Sequence, residues 1–178
     1  MAIRYGNQTP THSVVLPYTE SYGEDALGLY RATNREPQEW QATLVNAILA
    51  VNDDGLWVHP KFGYSVPRRN GKGEILTIRE MYGLKKGERI CHTAHRTTTS
   101  SSASKRLADL LKAAGYTEVF RPKKSETYEL SFTYSKQFGL ERITLLDTGC
   151  SVDFRTRTSA GGLGEGFDLL IIDEAPKS

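Results

Sequence analysis

The sequence predicts an α/β fold in which helices flank a mainly parallel sheet. Residues 62–66 are predominantly apolar and strand-like, and a basic turn and then a helical pattern follow them. Residues 169–172 form a run of branched apolar residues, which is typical of a strand covered on both faces of a parallel sheet. That strand would deliver Asp173 and Glu174 to the carboxyl edge of the sheet, where ligands bind in α/β folds.

Composition fits one domain of ordinary size. The chain has 178 residues, of which 38% are hydrophobic, and its net charge of +2 is too small to indicate nucleic-acid binding by itself. No apolar stretch approaches membrane-spanning length, and the N-terminus lacks a signal-peptide pattern, so we expect no membrane association. Cys91 and Cys150 lack a metal-ligand spacing, which favours a reducing compartment.

The first half of the chain contains two predicted helices. Residues 1–20 show no sustained period and are expected to be extended. A helix is predicted to open at Pro37, with Trp40, Leu44, Ala47, Ile48 and Val51 on one face. A second helix is predicted over residues 72–82, with Ile75, Ile78 and either Met81 or Tyr82 facing inward. Its amino end would point at a bound phosphate.

The second half alternates strand and helix signals. We expect strands at residues 89–94, 128–134, 142–146 and 151–155. The Ser/Thr-rich residues 97–104 are interpreted as the polar start of a helix, with a flexible loop as the alternative. Residues 159–166 form a glycine-rich loop, interpreted as a mobile segment over nucleotide or between subunits, or else as a plain surface connection.

The basic turn has the chemistry of a phosphate-binding loop. Gly71 allows a phosphate to approach the backbone closely, and Lys72 supplies a mobile positive charge next to Arg68 and Arg69. The standard pattern GxxxxGK[ST] is incomplete, because Val66 stands at its first glycine and Gly73 at its hydroxyl residue. The alternative is a basic β-turn on a solvated surface.

The two acids after residue 172 have the chemistry needed for nucleotide hydrolysis. Asp173 would hold Mg²⁺ directly or through water, and Glu174 would polarise the water that attacks the γ-phosphate. The alternative is that the acids simply begin a helix. His92 and His95, near Cys91, are interpreted as loop and packing residues rather than metal ligands.

The order of these motifs resembles the ATPase domain of the large terminase subunit, the DNA-packaging motor of tailed bacteriophages. The matching motifs are Trp40-Gln41, residues 67–72 (Pro-Arg-Arg-Asn-Gly-Lys), residues 92–94 (His-Thr-Ala), residues 154–166 (Phe-Arg-Thr-Arg-Thr with the glycine loop) and residues 168–175 (Asp-Leu-Leu-Ile-Ile-Asp-Glu-Ala). The resemblance covers roughly residues 35–178. It implies a P-loop NTPase fold, with residues 21–178 forming the N-terminal part of an ATPase domain that stops after the acidic strand.

The resemblance also implies residue roles and the cofactors ATP and Mg²⁺. Gln41 would contact adenine, Arg68 and Lys72 would stabilise the γ-phosphate, Asp173 would hold Mg²⁺ and Glu174 would activate water. The nucleotide would be surrounded by Gln41, Arg68, Arg69, Asn70, Gly71, Lys72, Gly73 and Glu74. The family's trans-acting basic residue would be expected where Leu163 or Glu165 stands, with Arg155 and Arg157 as substitutes.

The implied setting is viral genome packaging. The partners would be double-stranded phage DNA, the portal protein and the small terminase subunit, with a homo-oligomeric ring in the intact motor. The location would be the host cell cytoplasm, and transiently the procapsid portal. No nuclease domain is expected within this chain. Two alternatives are a helicase-like translocase with the same ATP chemistry and a non-hydrolysing nucleotide- or DNA-binding assembly protein, which Val66 and Gly73 favour.

Overall fold

The computed structural model describes residues 6–157 and 166–174 of the chain. It divides the chain into two compact units, Met1–Ile78 and Arg79–Ser178. Secondary structure in the first unit consists of β1 (Glu20–Ser21), α1 (Gly23–Arg31), α2 (Glu39–Ile48), β2 (Ala50–Val51) and the first half of α3 (Lys72–Lys86). The second half of α3 belongs to the second unit.

The first unit is built on a pair of packed helices. Helix α1 packs against α2 and buries Ala26, Leu27 and Tyr30. Strands β1 and β2 pair in antiparallel fashion and place Glu20 opposite Val51. The predicted helix after Pro37 is confirmed as α2, but Val51, which was expected on its face, lies in β2 instead. Helix α1 was not predicted.

The second unit is a sheet with α4 (Thr97–Ala113) packed on it. Its strands are β3 (Ile90–Ala94), β4 (Thr117–Glu118), β5 (Ser131–Ser135), β6 (Arg142–Leu145), β7 (Ser151–Thr156) and β8 (Leu169–Ile172). They lie in the order β4-β5-β6-β7-β3-β8. Strand β3 pairs in parallel with β7 and with β8, and β4 with β5, whereas β6 is antiparallel to both neighbours. The α/β class is confirmed, and the six-stranded sheet is mixed: β6 runs antiparallel to its two neighbours, and the other three pairings are parallel.

The buried interior of the second unit follows the apolar periodicity of its elements. Helix α4 contacts β3 and β7, and it begins with the Ser/Thr-rich segment, so the helical interpretation of that segment is confirmed. The main buried apolar side chains are Ile90, Ala94, Leu107, Leu110, Leu111, Phe132, Ile143, Leu145, Val152, Phe154 and Ile171.

Two strand predictions need correction. Residues 62–66 form no strand, since no segment in the described parts of the chain pairs with their backbone. Strand β8 exists but is not covered on both faces, since the side chains of Leu170 and Ile172 are 59% and 52% exposed. In the described sheet β8 pairs only with β3 and forms an edge, so its burial alternates along the strand.

In the described parts of the chain, no helix is long and apolar enough to cross a membrane.

Candidate functional site

The basic turn before α3 has an unusual backbone conformation. Arg69 and Gly71 have φ angles of 67° and 78°, in the left-handed region. The side chain of Asn70 braces the turn by donating from Nδ2 to the carbonyl of Pro67 at 3.2 Å. A left-handed Arg costs about 1–2 kcal/mol relative to ordinary backbone. Strain of this kind, next to exposed backbone and three cations, is typical of anion-binding turns.

Gln41 clamps this turn from α2. Its Oε1 accepts a hydrogen bond from the backbone of Gln38 at 2.8 Å, and its Nε2 donates to the carbonyl of Gly71 at 3.1 Å. Only 4% of the residue is exposed. A Cβ on Gly71 would lie 2.8 Å from that same Nε2 and would displace it, and the φ angle of 78° also favours glycine at this position. The structure therefore gives Gln41 a role in shaping the turn, and its contact with adenine stays a prediction.

The first turn of α3 is anchored by side chains of the first unit. Glu74 Oε2 accepts a hydrogen bond from the hydroxyl of Tyr30 at 2.8 Å and pairs with Arg35 at 3.2 Å. Burial, followed by the bond to Glu74 and its charge, raises the pKa of Tyr30 to about 12. Tyr64 donates to the carbonyl of Lys72 at 3.1 Å. These contacts hold the helix start that carries Lys72, and none was predicted from the sequence.

The acidic pair lies directly after β8, as predicted. The Asp173 amide donates to the carbonyl of Thr93 at 2.8 Å, which fixes it beside β3. Glu174 is exposed and has a φ angle of 54°, a left-handed conformation that is uncommon for a non-glycine residue. Arg157 holds this strained end, because its Nη2 donates to the carbonyls of Asp173 at 3.2 Å and Glu174 at 2.5 Å.

A buried chain of ionisable groups ends at Asp173. Glu80 on α3 and His92 on β3 are each 1% exposed, and Glu80 Oε1 lies 2.5 Å from His92 Nδ1. On the other side of the imidazole, Nε2 lies 3.9 Å from Asp173 Oδ2. Burial opposes the charged imidazolium, but the charge and hydrogen bond of Glu80, followed by the charge of Asp173, raise the pKa of His92 overall.

Sequence reasoning assigned His92 only to packing, and the ring does lie against Phe154, with centroids 5.2 Å apart. Its link to two carboxylates was missed. The signal that could have found it is an ionisable residue in a strand whose neighbours Ile90, Cys91 and Ala94 are all buried. A buried charged group must find partners, because an unpaired one is costly.

The proposed substitutes for a trans-acting arginine are both engaged within their own chain. Arg155 Nη2 pairs with Asp153 at 2.9 Å, and Arg157 bonds the backbone after β8. The trans role of either residue stays a prediction. The glycine-rich loop, including Leu163 and Glu165, lies outside the described residues apart from Gly166.

Two cavities of about 370 and 420 Å³ border the loop between β5 and β6. Both are lined in part by Glu141, which is 2% exposed and whose Oε2 has no hydrogen-bond partner in the part of the chain that the structure describes. None of the residues predicted to surround the nucleotide or to hold Mg²⁺ lines either cavity, whereas Arg155 lines the first.

Residues 6–157 and 166–174 contain no group of three His, Cys, Asp or Glu side chains able to hold a metal ion. The role of Asp173 as a Mg²⁺ ligand stays a prediction. Its carboxylate is a suitable hard ligand at a strand end.

Comparisons with protein-family models, with curated proteins and with solved structures find no match to this chain.

Proposed function

We propose that the chain binds ATP with Mg²⁺ and hydrolyses it as the motor domain of a phage terminase large subunit, within a P-loop NTPase fold. The observation that carries this proposal is the basic turn at residues 67–71, in which left-handed Gly71 leads directly into α3 at Lys72. A helix amino end preceded by a turn of this kind favours anion binding, because its first amides have no partner within the helix.

The residues of the turn would act on the phosphates. Lys72 would contact the β- and γ-phosphates as a point charge, and Arg68 would stabilise charge that develops on the γ-phosphate during its transfer. Arg69, Asn70, Gly73 and Glu74 complete the predicted phosphate shell. Gly71 permits the close backbone approach, and Gln41 keeps the turn in that shape through its bond to the Gly71 carbonyl.

The acidic residues would act on metal and water. Asp173 would hold Mg²⁺, which when bound neutralises part of the phosphate charge. Glu174 would accept a proton from the attacking water, and its exposed, strained position after β8 suits a group that must meet a substrate. Arg157 would keep that segment in place through its two carbonyl contacts.

Coupling to DNA completes the proposal. In the intact motor, hydrolysis would drive double-stranded DNA, gripped mainly by its phosphates, through a portal protein. The motor would be a homo-oligomeric ring that also meets the small terminase subunit, in the host cytoplasm and transiently at the procapsid portal. These assignments rest on the motif resemblance alone.

A non-hydrolysing nucleotide-binding role is the second candidate. Two observations favour it: residues 62–66 form no strand before the turn, and Gly73 offers no hydroxyl to Mg²⁺. A water molecule at that place would restore the missing ligand. Binding without turnover would support this candidate over the motor.

Calorimetric titration with ATP and Mg²⁺ tests the proposal. We expect the wild-type chain to bind, Lys72→Ala to lose at least about tenfold in affinity, and Lys61→Ala, which removes an exposed lysine outside the turn, to bind like wild type. Unchanged binding in Lys72→Ala would overturn the phosphate-loop assignment.

Phosphate release separates the two candidates. For the motor, Glu174→Gln should retain ATP binding and lose at least about 100-fold in turnover, as expected when a general base is removed. A wild-type chain that binds ATP but releases no phosphate, with or without DNA, would instead support the non-hydrolysing role.

A further inference from the structure

A chain of three buried ionisable side chains, Glu80, His92 and Asp173, connects α3, β3 and the end of β8. The outer carboxylates lie on opposite sides of the imidazole, with contacts of 2.5 Å at Nδ1 and 3.9 Å at Nε2. Placing two acids and a histidine out of water is unfavourable unless they interact. Apolar residues would fill the same space at lower cost, so this chain calls for a functional explanation.

Two of these three groups retain unused bonding capacity. Glu80 Oε2 and His92 Nε2 are buried and have no hydrogen-bond partner among the described residues. The short bond between Glu80 and Nδ1 fixes the plane of the ring and directs Nε2 at Asp173 Oδ2. The separation of 3.9 Å would have to shorten by less than 1 Å to come near the range of an N–H···O hydrogen bond.

We propose that Glu80 and His92 are positioning residues for Asp173, with His92 Nε2–H binding one carboxylate oxygen so that the other is turned toward Mg²⁺. This inference rests on the proposed nucleotide-binding function. The contact resembles the outer-shell hydrogen bonds that orient metal ligands in other proteins. Glu80 acts through His92, since its carboxylate secures the ring.

Two substitutions of His92 separate positioning from packing. The amide nitrogen of Gln reaches the place of Nε2, so His92→Gln keeps a donor toward Asp173. Asn extends only to the place of Nδ1, so His92→Asn keeps a partner for Glu80 and loses the donor. If His92 acts only structurally through Glu80, His92→Asn should be closer to wild type than His92→Gln. If His92 positions Asp173 through Nε2, His92→Gln should be the closer of the two. Glu141→Gln is the matched control, because Glu141 is also buried and lies just before β6, away from the three groups.

The readout is the Mg²⁺ concentration that half-saturates binding of a non-hydrolysable ATP analogue, measured with the full chain. We expect His92→Asn to raise that concentration about 10-fold or more, and His92→Gln and Glu141→Gln to stay within about threefold of wild type. Affinity for the analogue without Mg²⁺ should not change in any of them. Glu80→Gln should shift the Mg²⁺ requirement in the same direction as His92→Asn, and circular dichroism verifies that each variant is folded.

The results distinguish failure of the positioning role from failure of the proposed function. The positioning role is overturned if His92→Asn has the same Mg²⁺ dependence as wild type, or if it loses equal affinity for the analogue with and without Mg²⁺. Either result leaves the proposed function intact. The positioning role is also overturned if His92→Gln raises the half-saturating Mg²⁺ concentration as much as His92→Asn does. If the wild-type chain itself binds the analogue without any effect of Mg²⁺, the proposed metal role fails first, and the positioning role fails with it.

Discussion

Replacing Gly71 by alanine tests whether the turn owes its shape to the clamp from Gln41. The residue has a φ angle of 78°, and an added Cβ would lie 2.8 Å from Gln41 Nε2. The left-handed backbone costs alanine about 1–2 kcal/mol. Displacing the Gln41 amide from the Gly71 carbonyl costs about 1 kcal/mol more. We therefore expect Gly71→Ala to lower the free energy of unfolding by about 2–3 kcal/mol.

Gly55→Ala is the matched control. Gly55 has a similar φ angle of 73°, but nothing lies within 4 Å of its added Cβ. Alanine there should cost only the backbone term of about 1–2 kcal/mol. The difference between the two variants, about 1 kcal/mol, isolates the contact with Gln41.

Urea unfolding followed by tryptophan fluorescence measures this difference. Both tryptophans, Trp40 and Trp57, lie in the first unit, so the signal reports the unit that contains the turn. With an m-value of about 1 kcal/mol/M, the transition of Gly71→Ala should lie about 1 M urea below that of Gly55→Ala. Equal midpoints for the two variants would refute the clamp.

Two further predictions concern the scaffold. Gly83→Ala should lower the thermal unfolding temperature although it adds a helix-favouring residue, because its Cβ would lie 2.4 Å from Glu88 Oε2. Its control is Gly28→Ala in α1, where nothing lies near the added Cβ. That variant should stabilise the protein by up to about 1 kcal/mol. Asp153→Asn should cost about 2–3 kcal/mol in urea unfolding, because Asp153 is buried and bonds Arg142 and Arg155. Burial opposes the Asp153 carboxylate, but the bonds from Arg142 and then Arg155 lower its pKa overall, so wild-type stability should fall as pH drops below about 4, and less steeply in Asp153→Asn. Stabilisation by Gly83→Ala, or identical acid profiles for wild type and Asp153→Asn, would contradict these assignments.

Local sequence signals identified most helices and strands of the described chain. Helices α2, α3 and α4 and strands β3, β6, β7 and β8 all fall where apolar periodicity placed them. Each of these elements buries one face, and the apolar residues of that face recur in the sequence at the period of a helix or a strand.

The wrong strand predictions arise where strand formation or burial depends on a neighbouring segment. The apolar residues 62–66 look like a strand, but a strand also needs a neighbouring backbone to bond. The branched run of β8 cannot reveal that the strand lies at an edge, which leaves Leu170 and Ile172 exposed. Helix α1 was missed because it is short and its buried face is narrow, with Gly28 weakening the helical signal.

The candidate site was predictable in its charged residues but not in their supports. The turn and the acidic pair follow from residue types and spacing. The clamp of Gln41 on Gly71, the hold of Arg157 on the end of β8 and the contact of Glu80 with His92 join segments distant in sequence. Only the folded chain brings these groups together, so a local pattern can mark a buried ionisable residue such as His92 but cannot identify its partner.

The central claim is that the turn at residues 67–73 binds the terminal phosphates of a nucleotide. Titration of the full chain with ATP and with AMP, in Mg²⁺, tests it most directly through the ratio of the two affinities. We expect wild type to prefer ATP by at least about tenfold, since only ATP presents β- and γ-phosphates to Lys72. Lys72→Ala should abolish most of that preference and leave AMP binding unchanged. Equal affinity of the wild-type chain for ATP and AMP, or an undiminished preference in Lys72→Ala, would contradict the claim.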